Sequence, residues 1–247
     1  SGLMVAEPAT FGFFATLPLP DTEGALDELQ HAFDRLGADG ACLLANYGGA
    51  YLGEPAFDPV LRELDRRGAV VFVHPAGLPG PALDGVAPAV ADVLLDTVRA
   101  ALDLARRGVL TRYPRIRFLL ASGGGFLPFA AGRLAAAASP RGNPVDGLRL
   151  LRRFYLDTAQ AGTPYALASL LRFAARGHVT YGSDFPFAPA AASLASAAYQ
   201  RLPRRGGAAV SHETALGLFP RLVPVVPPVE LPEPRPALAP GGRRELR

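Results

Sequence analysis

Three apolar, strand-like runs in this chain end on residues able to do chemistry. Ala69-Val70-Val71-Phe72-Val73 delivers His74, Leu119-Leu120-Ala121 delivers Ser122 and three glycines, and Val179-Thr180-Tyr181-Gly182-Ser183 delivers Asp184. Of the four histidines, only His74 ends such a run. A histidine and an aspartate at successive strand ends suggest a metal site, yet a catalytic zinc ordinarily takes three protein ligands, and His74 with Asp184 makes two. Without metal, Asp184 would hydrogen-bond one ring nitrogen of His74 and leave the other as a general acid or base near neutral pH. Ser122 would then serve as nucleophile or hydrogen-bond donor, or simply fill space. The backbone N–H groups of Gly123 and Gly124, at a helix start, suit a carboxylate or enolate oxygen. The residues around Ser122 lack the strained G-x-S-x-G elbow, which argues against an acyl-enzyme.

Further polar residues stand at strand ends. Asp157 closes Phe154-Tyr155-Leu156 and either lines the cavity or caps the following loop; Asn46 and Tyr47 precede a glycine-rich loop and are candidates to touch substrate. His178 precedes its strand and belongs at the opposite, structural face of a barrel. His31 and His212 read as structural or solvated.

The elements that must position these groups alternate between strand and helix. Strands are expected over 11–17, 40–46, 69–74, 116–122, 154–158 and 178–183, each followed by an amphipathic helix. Asp21, Asp58 and Thr163 stand as helix N-caps, the last two followed by proline, and Gly37 and Gly68 stand as helix ends. Ala-rich helices are expected near 189–201 and 211–219. Six such units predict an α/β fold, an incomplete (β/α) TIM-like barrel with parallel strands covered by helices. A doubly wound sheet is the alternative, but no G-x-G-x-x-G follows the first strand. The barrel domain spans 1–222. Residues 223–247 form a Pro-rich tail, expected to dock through Val223, Val225, Val226 and Val229.

Composition limits the function classes. The 25 basic residues are all arginine, net charge is only +3, and pairs such as Arg66-Arg67 fall at helix ends, so a nucleic-acid surface is not expected. No apolar run reaches about 18 residues, which excludes a helical membrane span. The lone Cys42, inside Ala41-Cys42-Leu43-Leu44, excludes disulfide stapling and reads as packing. With no secretory signal pattern, a cytoplasmic location is expected.

Taken together, the strand ends resemble the amidohydrolase superfamily, in the branch of aminocarboxymuconate-semialdehyde decarboxylase and related aromatic-acid decarboxylases. The likeness runs from about residue 11 to 222. It rests on Phe13-Phe14-Ala15-Thr16-Leu17-Pro18, Asn46-Tyr47-Gly48-Gly49 with Tyr51-Leu52-Gly53, Val73-His74-Pro75, Ser122-Gly123-Gly124-Gly125 and Tyr181-Gly182-Ser183-Asp184-Phe185-Pro186, in the family's order. The resemblance implies that His74 and Asp184 inherit metal-ligand roles. It also implies a first-strand His-x-His pair and a proton-transferring histidine before the glycines. This sequence has no such pair, begins at the family's third strand, and carries Ser122 in place of that histidine.

These departures set the expectation of no cofactor, with zinc on His74 and Asp184 as the alternative. The function expected is a metal-independent, non-redox acid/base step on a small unsaturated carbonyl or carboxylate compound in specialised metabolism: cyclisation, dehydration, isomerisation or decarboxylation. A non-catalytic binding protein, and a metal-dependent decarboxylase or hydrolase completed by another chain, stand as alternatives. Six parallel strands leave two open edges, so a homo-oligomer or a partner subunit is expected to cover them.

Overall fold

The computed structural model describes residues 2–78, 84–188 and 207–222. The expected helix near 189–201 and the docking of the Pro-rich tail lie outside the described residues.

The strands in chain order are β1 (Phe14–Thr16), β2 (Gly40–Leu44), β3 (Asn46–Tyr47), β4 (Ala50–Tyr51), β5 (Val70–His74), β6 (Arg117–Leu120) and β7 (Tyr155–Leu156). Five of them form one parallel sheet in the order β1-β2-β5-β6-β7. Leu156 then bridges Val179, the remnant of the sixth strand expected over 178–183. The pairing goes no further because Gly182 N donates to the Thr158 side chain in place of a backbone carbonyl. The architecture is the expected α/β, TIM-like arrangement of parallel strands and covering helices. Among the described residues, β1 and the Val179 segment are its edges. The antiparallel β3–β4 pair is an addition that the sequence reading missed.

Period-2 alternation divides each strand between two cores. Val71, Val73, Phe118, Leu120 and Leu156 point one way, into a large core under the helices. Val70 and Leu119 point the other way and meet Leu218, with Phe14, Phe72, Tyr155 and Phe219 packed around them. This second, smaller core lies on the barrel's inner face. The face is partly open: Leu44 is exposed and Cys42 is half-buried, short of the full burial expected for that cysteine.

Of the three expected N-caps, Asp21 and Thr163 hold and Asp58 does not, and the helix after Asp21 ends at Asp34, short of the expected Gly37. After the short α1 (Gly2–Ala6), Asp21 accepts a hydrogen bond from Gly24 N at the start of α2 (Thr22–Asp34), and Thr163 accepts one from Ala166 N at the start of Pro164–Phe173. Asp58, expected as an N-cap, is instead the first residue of α3 (Asp58–Arg67) and pairs with Arg112 at 2.8 Å. Gly68 ends α3 at a φ of 62°, a left-handed conformation that favours glycine. The long α4 (Pro88–Arg106) lies over the large core and brings a buried carboxylate, Asp96, towards the loop after β5.

Candidate functional site

His74, Ser122, Asp157 and Asp184 line one cavity of about 430 Å³ at the C-terminal ends of the strands. Five phenylalanines, Phe14, Phe72, Phe185, Phe187 and Phe219, line the same space. Two of these, Phe187 and Phe219, were not picked out from sequence because they sit in different segments and carry no shared periodic signal. A ring-lined cavity with a few convergent polar groups is the usual form of a small-molecule site.

The imidazole of His74 and the carboxylate of Asp184 share this cavity, but each has its own hydrogen-bond partner. Nδ1 of His74 lies 2.8 Å from the carbonyl oxygen of Pro75, and Asp184 Oδ2 accepts a 2.6 Å bond from Gln160 Nε2. A direct Asp184–His74 bond, expected from the sequence, is replaced by these two. The reason is local: the Pro75 carbonyl is the next residue's own oxygen and reaches the ring without ordering a distant group. Since a carbonyl only accepts, Nδ1 carries a proton, which in the neutral ring leaves the lone pair on Nε2.

Backbone conformation marks the same loops. Ser122, Gln160 and Asp184 are the non-glycine residues with positive φ among the described residues, at 54°, 56° and 61°. Such positions are strained for side chains with a Cβ and cluster where geometry serves function. Gln160 is the site residue that sequence reasoning missed; a polar residue in a loop between Ala159 and Ala161 gave no signal.

Asp157 is buried, and its Oδ1 accepts from the N–H groups of Gly123 (3.1 Å) and Ala159 (3.2 Å). Burial pushes its carboxyl up to about 7, against the backbone N–H groups of Gly123, Ala159 and Ser122, which favour the ionised form. Asp157 therefore does both things weighed from sequence: it borders the cavity and ties down the following loop.

The expectation that Gly123 and Gly124 offer N–H groups to a substrate oxygen is corrected. Gly123 N donates to Asp157, Gly124 N to Ala121 O and Gly125 N to Ser122 O. The glycines are required by packing instead. A Cβ on Gly124 would stand 2.7 Å from Leu156 Cδ2, and one on Gly125 would stand 2.3 Å from the Leu94 carbonyl oxygen.

Asn46 and Tyr47 also move out of the proposed site. They border a separate depression with Leu44, Gly48 and Gly77. Asn46 is buried and bonded to Asp96, Gly77 O and Gly49 N, while the Tyr47 hydroxyl accepts from Leu44 N at 3.0 Å. Their polar atoms are consumed in holding the β3–β4 turn. His178 stacks on Tyr155 at a ring separation of 4.1 Å, beside Arg117 and Arg153, in a different depression from the one at His74.

Parallel strands with functional groups at their C-terminal ends define a (β/α)-barrel enzyme site. The amidohydrolase family model matches residues 2–221, and the chain belongs to that family. It is 40% identical over 239 residues to 6-methylsalicylic acid decarboxylase of Penicillium expansum, covering 88% of this chain and 71% of that protein. Across the four decarboxylases matched at 40% identity or better, the chain spans 54% to 71% of their length. Among solved structures it superposes on an amidohydrolase II at a TM-score of 0.80 and 29% identity, covering 89% of this chain and 74% of that one.

The expectation of no cofactor is overturned by the same comparison. A dihydroxybenzoic acid decarboxylase from Polaromonas, matched at a TM-score of 0.76 and 19% identity over 89% of this chain and 72% of its own, holds bound manganese. In the present chain the donors suit such an ion in kind: an imidazole nitrogen with a free lone pair and a carboxylate. They fall short in number. Among the described residues no group of three His, Cys, Asp or Glu side chains is placed to hold a metal.

Proposed function

We propose that this chain is a decarboxylase of a small hydroxyaromatic acid that works with a divalent metal ion. The observation that carries the reading is the composition of the cavity. Five phenylalanine rings face His74, Ser122 and Asp184 in one space, which suits a flat aromatic acid with its polar edge towards the strand ends. The chain's relatedness to 6-methylsalicylic acid decarboxylase supports the same substrate class and a place in specialised metabolism.

His74 Nε2 and the Asp184 carboxylate are the groups of this chain that would hold the ion, the other positions falling to water, substrate or residues beyond those described. Once bound, the ion supplies positive charge for an anionic carboxylate and its developing charge. The protein's own part is to bind and orient. The Phe72 and Phe14 rings, 6.0 Å apart and nearly parallel, form an apolar wall, and Phe219 closes edge-on against Phe14. Ser122 lines the cavity beside His74 and Asp184. Gln160 holds one oxygen of Asp184, leaving the other for a ligand. Decarboxylation breaks the bond between the ring and the carboxylate carbon; carbon dioxide leaves, and the electron pair left on the ring carbon takes up a proton supplied by water. Loss of the substrate's charge is favoured by the apolar wall.

The test is carbon dioxide release from 6-methylsalicylate and dihydroxybenzoates with manganese or zinc supplied. His74→Ala and Asp184→Asn are each expected to lower kcat/KM by on the order of 1,000-fold. Undiminished turnover in both variants, or no turnover of any such acid by the metal-loaded protein, overturns the reading. The open sheet edges support a further part of it: a second subunit covers β1.

A further inference from the structure

Asp96 shapes His74 without touching it. Its side chain is wholly buried, on α4, and accepts four hydrogen bonds. Oδ1 takes Asn46 Nδ2 at 2.9 Å and the Tyr51 hydroxyl at 2.8 Å, and Oδ2 takes the backbone N–H of Ala76 at 2.9 Å and of Gly77 at 3.2 Å. Burial and the Asp96 carboxylate push the Tyr51 hydroxyl up, so that it stays a donor. A buried carboxylate is expensive to desolvate, and these four donors, two on each oxygen, offset that cost. A use for the charge beyond closing the loop lies in what its partners are bonded to.

The connectivity supplies one. Ala76 N–H and Pro75 C=O are the two ends of one rigid, planar peptide group. The N–H end points at the Asp96 carboxylate, and the C=O end receives Nδ1–H of His74 at 2.8 Å. An anion on the N–H polarises the peptide and makes its oxygen a stronger acceptor, since linked hydrogen bonds reinforce one another. The sequence order Asp96 carboxylate, Ala76–Pro75 peptide, His74 imidazole is thus a carboxylate–imidazole support with a peptide inserted between its partners. In metal sites the same support, made directly, fixes the tautomer and orientation of a ligating histidine.

We propose that Asp96 is a positioning residue for His74: through the Pro75–Ala76 peptide, its buried charge holds the imidazole as the Nδ1–H tautomer and presents Nε2 as the ligand or acceptor atom. Only the use of Nε2 rests on the decarboxylase reading; the tautomer does not. Asn46 and Tyr51 belong to this support, which explains why two residues that resemble a binding loop are turned inward.

The test reads the ring directly. Metal-free protein labelled with ¹⁵N-histidine is examined by two-bond ring correlation spectra above the usual imidazole titration range, with His74 assigned by its loss in His74→Gln. The wild type is expected to show the Nδ1–H form, and Asp96→Asn to move His74 towards the Nε2–H form that a free side chain prefers. Asp103→Asn is the control: this carboxylate lies on the same helix, accepts from Gly53 N and Arg107, and has no link to His74. It is expected to lower stability and leave the His74 spectrum unchanged. Manganese affinity is expected to fall about 10- to 100-fold in Asp96→Asn and to hold in Asp103→Asn. An Nε2–H tautomer in the wild type overturns the proposal without any variant. So does a folded Asp96→Asn protein with unchanged His74 signals, or an equal shift in Asp103→Asn. Absence of decarboxylation with these spectra as expected would count against the proposed function alone.

Discussion

Gln160 is joined to the cavity-lining Asp184 by a 2.6 Å hydrogen bond, and both residues hold left-handed backbone conformations. Two strained residues joined by one side-chain bond imply that the position of the Asp184 carboxylate matters more than the ease of forming its loop. Gln160→Ala is expected to weaken manganese binding by roughly 10-fold and leave the melting temperature nearly unchanged. Calorimetric titration checks this; an unaltered affinity would show that Gln160 only decorates the loop.

Asp157 predicts a pH dependence of stability in the metal-free protein. Its folded carboxyl is raised from 3.8 to about 7, with burial the first cause. Below about pH 4 the group is neutral in both states and no penalty exists. As pH rises further, the unfolded chain ionises while the fold resists, so stability falls until pH passes the folded value. The loss is of the order of a few kcal/mol at most. Denaturation of Asp157→Asn at pH 5 and pH 8 is expected to show much of that slope removed. An unchanged slope would mean that another group titrates.

Gly125→Ala places a Cβ at 2.3 Å from the backbone oxygen of Leu94, at a φ of 64°. Neither the carbonyl nor the turn is free to move. The sum of left-handed strain and overpacking is about 3 kcal/mol, which for a chain of this size lowers the melting temperature by roughly 10 °C. A shift of less than a couple of degrees in thermal unfolding would contradict the packing role assigned to this turn.

Among the described residues, the edge strand β1 pairs on one side only, with β2. Next to it, Leu44 presents an apolar side chain 39% exposed on the open inner face. Light scattering at micromolar concentration is therefore expected to find a dimer or larger assembly. A monomer there would mean that the edge is tolerated uncovered.

The amino-acid sequence alone determined the parallel α/β frame, because apolar runs with period 2 and helices with caps at Asp21 and Thr163 leave few other arrangements. It also marked His74, Ser122 and Asp184, since a polar residue ending an apolar strand is a local signal. The tertiary structure decided who bonds to whom. Asn46, which reads as a binding residue, is spent on Asp96, and the glycine N–H groups are spent on Asp157 and the turn itself. Gln160 and Asp96 enter the site from loops and helices 24 and 22 residues from their functional neighbours Asp184 and His74. A hydrogen bond depends on angstroms and angles fixed by packing across the fold, and those distances have no trace in the order of residues along the chain.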